Sequence, residues 1–154
     1  MHKVNLQTQL ITAASTQALR HLVLWPHLES PACCTLEADD DPMTFHMGCF
    51  YRDELRGIAT LVSDRCDALP DGAQMRLRAM ATHPEFRGHN VGLVLINGLL
   101  GELYKRKVDW VWCDARVTAV GFYERVGWEV DSRVYQVPQV GAHRRAHCRI
   151  VTPV

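Results

Sequence analysis

The chain Ala81-Thr82-His83-Pro84-Glu85-Phe86-Arg87-Gly88-His89-Asn90-Val91-Gly92 runs from the end of a strand-like segment, through a turn, into the apolar start of a helix. A helix N-terminus leaves backbone N–H groups unpaired and carries partial positive charge, and small residues there let anionic oxygens approach the backbone closely. Gly88, Gly92 and Asn90 are the residue types that accept the left-handed backbone such a turn needs. The chemistry is that of a phosphate cradle. No Gly-Lys-Ser or Gly-Lys-Thr opens the helix, so the cradle is not a nucleotide P-loop. A dinucleotide fingerprint would open a first βαβ unit, whereas this turn lies past the middle of the chain. Alone, a Gly-x-x-x-Gly turn also serves plain packing.

A second block follows at Asp114-Ala115-Arg116-Val117-Thr118-Ala119-Val120-Gly121-Phe122-Tyr123-Glu124-Arg125-Val126-Gly127-Trp128. With both blocks in view, residues 75 to 130 resemble the GCN5-related N-acetyltransferase family. That family's pyrophosphate loop, Arg/Gln-x-x-Gly-x-Gly/Ala, reads here as Arg87 to Gly92, and its Ala-x-x-Phe-Tyr-x-x-x-Gly-Phe stretch is similar to the second block. The segment Leu22-Val23-Leu24-Trp25-Pro26 and the stretch Trp112 to Arg116 look like a bacterial-type subgroup of small members. Two positions depart from the pattern: Asn90 stands where Gly is usual, and Val117 where many members have an Asn that contacts the cofactor.

The resemblance implies roles. Backbone N–H groups of Arg87, Gly88, His89, Asn90, Val91 and Gly92 would hold the pyrophosphate of acetyl-CoA, and Met80, Ala81 and Thr82 would pair with its pantetheine arm as an added strand. Phe122 would join the cofactor site. Tyr123 would be the acid that protonates the departing CoA thiolate. On a helix Phe122 pairs with Val126 four residues on, which sets Phe122 on the core face and leaves the Tyr123 hydroxyl free to point elsewhere. A primary amine would attack the thioester directly, with an oxyanion donor among the N–H groups near Met80 to Thr82. For the base the residues leave Asp114, Glu54, Glu37 and His46 open. The histidines are scattered and none forms a ligand pair, so no metal is expected.

The elements that must position these groups follow from periodicity. Apolar spacing predicts helices over Thr12–Leu24, Val91–Lys107 and Thr118–Val126. Strand-like runs are Thr44–Tyr51, Leu55–Val62, Met75–Thr82, Trp110–Ala115, Trp128–Val130, Val134–Val137 and Ala146–Val151. His27 to Met43 holds prolines and the acidic run Asp39-Asp40-Asp41, and reads as an irregular excursion that could draw a cationic acceptor if it is not simply solvated. The order gives an α/β fold, and the family resemblance makes it one acyl-CoA N-acyltransferase domain over residues 1–154. Its sheet would be mixed, mostly antiparallel and six- to seven-stranded, flanked by helices and splayed in a V between the fourth and fifth strands.

At 154 residues the chain is long enough to bury a core unaided. Lys plus Arg and Asp plus Glu balance at 17 each, which argues against nucleic acid as partner and makes any anion site a local one. Met1 to Gln7 carries no signal-like apolar run and nothing is long enough to span a bilayer, so a cytoplasmic protein away from membranes is expected. The six cysteines fit neither a zinc site nor a disulfide scaffold. The expected partner is a small-molecule or peptide amine, with CoA as product; dimerisation is open. A non-catalytic acyl-CoA-binding or sensing module is the alternative, and a ligand-free structural module a third.

Overall fold

The computed structural model describes residues 4–152; Met1 to Lys3, part of the stretch read for a targeting signal, and the last two residues of the 1–154 domain lie outside it. One eight-stranded mixed sheet forms the frame, in the order β1-β2-β3-β4-β5-β8-β6 with β7 also on β8. The strands are β1 (Leu6–Ile11), β2 (Phe45–Tyr51), β3 (Glu54–Val62), β4 (Gln74–Thr82), β5 (Trp110–Arg116), β6 (Glu129–Val130), β7 (Tyr135–Val137) and β8 (Gly141–Arg149). Every pairing is antiparallel except β4 with β5.

The sheet thus has eight strands rather than six or seven, because Leu6–Ile11 joins the edge. The last strand also starts five residues earlier than its apolar run, at Gly141. Thr12 caps the first helix, its hydroxyl accepting from the Ser15 amide at 3.2 Å. The helix α1 is shorter than expected, Ala13–Leu19, and continues as a wider π-type turn over Arg20–Leu24. There the Trp25 amide donates five residues back, to the Arg20 carbonyl, and Pro26 ends the segment.

Helix α2 (Val91–Lys105) buries Val91, Leu95, Ile96, Leu99 and Leu103, one stripe of its surface. Ile96, Leu99 and Leu103 pack on Ala59 and Leu61 of β3 and on Met75 and Leu77 of β4, while Val91 and Leu95 cluster with Met47 and Cys49 of β2. Burying five such side chains contributes on the order of 1.5–3 kcal/mol each before entropy is counted. The first turn lies so close to the sheet that a Cβ on Gly57 would meet Val91 Cγ1 at 2.4 Å, so only glycine fits there. A short 3₁₀ turn, Val117–Ala119, then leads into α3 (Val120–Arg125), where the sequence suggested one continuous helix.

Two irregularities open the site. β4 pairs with β5 only over Gln74–Arg76 and Trp110–Trp112, after which both strands run on without each other. On its other edge β4 carries a bulge, since Thr60 faces Arg78 while Ile58 faces Ala81. Ala79 takes up the extra residue at φ 50°. An added residue reverses the alternation of side chains. Met75, Leu77 and Met80 therefore face the α2 side, whereas Ala81 packs beside Leu19 of α1.

Candidate active site

The divergence of β4 from β5 leaves two cavities that meet end to end. One, about 580 Å³, lies between the end of β4, the start of α2 and α3. The other, about 440 Å³, lies on the α1 side of the splay and is closed by Leu24 and Trp25 beyond α1 and by Val137, Val140 and His143. Met80, Ala119 and Tyr123 line both.

The first cavity collects most of the expected cofactor residues: Met80, Ala81, Thr82, Arg87, Gly88, Asn90, Val91, Gly92 and Phe122. Asn90 sits at φ 67° and ψ 20°, the left-handed conformation, directly before α2, and Gly88 is at φ 83°. The amides of Gly88, Asn90, Val91, Gly92 and Leu93 donate to no backbone carbonyl among the described residues. They form an unspent group of donors at the positive end of a 15-residue helix. Two loop amides are not free: Arg87 donates to Pro84 at 3.5 Å and His89 to Phe86 at 3.3 Å. His89 also stands outside the cavity lining, its ring packed on Phe86 at 5.9 Å. Arg125 reaches the same wall from α3, a cation the sequence reading did not single out.

Phe122 and Val126 do pack against the main core, but Tyr123, expected to point elsewhere, is the more deeply buried. Tyr123 is 8% exposed and belongs to the main core, while Phe122 is half-buried at the cavity. The reason is that α3 lies with Val120 and Tyr123 toward the sheet, where Trp128 packs on the tyrosine ring at 5.1 Å. Burial pushes the Tyr123 phenol well above its ordinary 10.0, and the neighbouring Cys113 thiol adds to the rise. Burial likewise pushes Cys113 up to about 12. Both groups are neutral hydrogen carriers at physiological pH, and the tyrosine touches both cavities.

The four base candidates part company. Glu54 is exposed at the start of β3 and pairs with Arg56; Glu37 is exposed on a 3₁₀ turn. Neither lines the splay. His46 is buried in a polar cluster on the α1 face, with Nδ1 2.8 Å from the Thr60 hydroxyl. Arg20, fully buried, ties that cluster together by donating to both Asp39 oxygens at 2.7 and 3.0 Å, to Thr60 at 2.9 Å and to the Cys34 carbonyl at 3.1 Å. Asp39 is thus the anchor of the 27–43 loop rather than part of a free acidic run. Asp114 alone of the four lines the second cavity, but one oxygen accepts from Arg76 at 2.6 Å and the other from the Tyr135 hydroxyl.

His143 is the residue that sequence reasoning passed over. It is buried at the cavity wall on β8, and its Nδ1 lies 2.8 Å from the Gly141 carbonyl. A carbonyl only accepts, so Nδ1 carries the hydrogen and Nε2 of the neutral ring keeps its lone pair. Its signal is invisible in sequence, since it comes from the β8 register opposite Arg116. Among the described residues no three His, Cys, Asp or Glu side chains gather as metal ligands would, and no helix is long and apolar enough to cross a membrane.

The pattern of the acetyltransferase (GNAT) domain matches residues 25–142. An uncharacterized N-acetyltransferase, YitI of Bacillus subtilis strain 168, is 32% identical over 138 residues, covering 90% of this chain and 92% of its own. Among solved structures, an aminoglycoside 6'-N-acetyltransferase complexed with coenzyme A superposes with a TM-score of 0.73 at 14% identity over 96% of this chain and 99% of its own. Escherichia coli ElaA does so at 0.70 and 17% identity, over 93% and 99%.

Proposed function

The chain belongs to the GNAT family of N-acetyltransferases, and from that premise we propose that it moves the acetyl group of acetyl-CoA to a primary amine by direct attack within a ternary complex. The observation that carries this reading is the pair of cavities meeting at Met80, Ala119 and Tyr123. A thioester fed from one side and an amine from the other would come together there, which is the proximity a bimolecular transfer needs.

The pyrophosphate would rest on the free amides of Gly88 and Asn90 to Leu93, with Arg87 and Arg125 adding charge. The pantetheine arm would lie along Met80 to Thr82, the stretch of β4 that β5 has left, and satisfy its backbone groups as an added strand would. Amides of the same stretch, next to the bulge at Ala79, are the donors for the tetrahedral oxyanion. An aminoglycoside 6'-N-acetyltransferase complexed with coenzyme A shares the fold, which supports CoA as the donor.

The proton balance closes within the slot. The attacking amine must be neutral, and His143 Nε2, directly or through a water, takes the proton of its ammonium form. The carbon–nitrogen bond forms, the carbon–sulfur bond breaks, and the thiolate receives hydrogen from the Tyr123 phenol. Burial disfavours a lasting phenolate at Tyr123, so the hydroxyl acts by sharing its hydrogen as charge develops on sulfur and regains one from the proton the amine gives up. A reducing, cytoplasmic setting is supported by six free cysteines, four of them buried.

Thermal melting with ligands tests the cofactor. CoA or acetyl-CoA at a hundredfold its dissociation constant should stabilise the native state by about 2.7 kcal/mol, and NAD or ATP with magnesium far less. A scan in which magnesium ATP outperforms CoA rules the assignment out.

A further inference from the structure

The acceptor-side cavity has a charge imbalance that its ion pairs do not remove. Arg76, Arg78 and Arg116 line it, against the single carboxylate of Asp114. Arg76 is neutralised twice, by Asp114 at 2.6 Å and by Asp64 at 3.2 Å. Asp114 in turn has both oxygens engaged, by Arg76 and by Tyr135, and its charge is already matched by Arg76, which makes it a weak anchor for an ammonium group. Arg20, behind the wall, is matched by Asp39.

Arg78 is left over. It is half-buried on β4, beside the bulge that opens the slot, yet its guanidinium makes no hydrogen bond and no ion pair among the described residues. Burial lowers its pKa, and the repulsion of Arg76 and Arg20 adds to this against the weaker pull of Asp64 and Asp114. A guanidinium in a cavity wall with its donors unspent is open to an anionic ligand, and its planar fork matches a carboxylate. The rest of the lining supplies an apolar body: Leu24, Trp25, Val137 and Val140.

Resting on the acyl-transfer reading above, we infer that the acceptor is an amine that also bears a carboxylate, an amino acid or a short peptide end, and that Arg78 is the residue that selects it. The carboxylate docks on the Arg78 fork, with Arg116 at the rim, and the amine is thereby aimed at the junction by Tyr123. This choice runs against polycationic acceptors, which would meet Arg78 and Arg116 with no free carboxylate to hold them. It also sets aside Asp39 as an attractant for cations, because Arg20 already consumes that carboxylate.

The test pairs acceptors that differ by the carboxylate alone: tyrosine with tyramine, and lysine with cadaverine. Phosphoethanolamine and ethanolamine are the arm that separates phosphate from carboxylate. With acetyl-CoA saturating, kcat/KM should favour the carboxylate member of each pair, chiefly through KM. Arg78→Gln should collapse that preference by roughly 10- to 100-fold, the size of a charge-assisted hydrogen-bonded contact, and Arg78→Lys should restore part of it. Melting curves of both variants show whether they are folded. A wild type that prefers the decarboxylated amines, or the phosphate ester, overturns the inference, and so does an Arg78→Gln protein with an unaltered ratio.

A turnover-independent arm keeps this distinct from the failure of acyl transfer. Tyrosine and tyramine are titrated against the CoA-loaded protein, or against the protein alone if CoA does not bind, by calorimetry. Arg78-dependent binding of tyrosine in a protein without transferase activity would sink the catalytic reading and keep the carboxylate site; equal binding of the two ligands would sink the site whatever the activity.

Discussion

Gly92 and Phe122 are in contact at the cavity between α2 and α3: a Cβ on Gly92 would lie 3.0 Å from both Cε2 and Cζ of the phenylalanine ring. The first turn of α2 and the middle of α3, separated by about 30 residues of sequence, are thereby set against each other. Met80 comes within 3.6 Å of the same point. The two sequence blocks are thus packed on one another in this chain.

Gly92→Ala should therefore disturb the cradle more than the fold. Fitting the methyl group requires the half-buried ring or the helix start to shift, an overpacking cost of about 1–3 kcal/mol that falls on the free amides. The expected result is a dissociation constant for CoA raised roughly tenfold or more, with a small change in melting temperature, read by calorimetric titration. Unchanged affinity would mean that the first turn does not hold the pyrophosphate.

Asn90 gives a second handle on the same turn. Its φ of 67° suits Gly as well as Asn but strains a β-branched side chain by about 1–3 kcal/mol. Asn90→Gly should bind CoA as well as the wild type or slightly better, and Asn90→Val should bind it at least roughly tenfold more weakly. Equal affinities of the three proteins would contradict a left-handed turn in the ligand-bound state.

The turn and the long α2 were legible in sequence because both are local: left-handed-tolerant residues before a strongly apolar helical stripe. β1 was not, because Leu6-Gln7-Thr8-Gln9-Leu10-Ile11 has little apolar alternation and becomes a strand through its ladder with β2, from Leu6 opposite Tyr51 to Ile11 opposite His46. The face of Tyr123 was misread for a similar reason: a six-residue helix has too few turns for its own periodicity to say which side meets the sheet, and Trp128 decides it. Arg78 and His143 carry no motif at all. Their place follows from a bulge and from the β5–β8 register, both of which are tertiary facts.

Acid should weaken the fold through His46. Burial lowers its pKa from 6.5, the repulsion of Arg20 adds to this, and the pull of Asp39 only partly offsets it. The unfolded chain then binds a proton that the folded one refuses, so stability falls as pH drops from 6.5 through the lowered folded value and is unaffected above that window. Asp39 adds a second loss at lower pH: although burial would raise its carboxyl, the hydrogen bonds from Arg20 and Leu36 hold it below 3.8, and its contribution disappears as pH falls through that folded value. Melting temperature against pH should show a His46-dependent slope below 6.5. His46→Gln should flatten that part of the profile relative to wild type, whereas parallel profiles would mean that His46 is protonated inside the fold.

The proposed role of Tyr123 in the chemical step is tested most directly by amine-dependent release of CoA from acetyl-CoA, followed by a thiol reagent and by mass detection of the N-acetyl product, run on wild type and Tyr123→Phe together. The ring, its packing on Trp128 and the cofactor cavity are all retained in the variant, so only the hydroxyl is removed. With an amine pool that includes amino acids and short peptides, the wild type should release CoA only when amine is present. Tyr123→Phe should bind acetyl-CoA with the same affinity and turn over about 10²- to 10⁴-fold more slowly. A Tyr123→Phe protein that keeps wild-type turnover would remove the tyrosine from the reaction, and a wild type that binds CoA tightly yet releases none with any amine would leave a binding module in place of an enzyme.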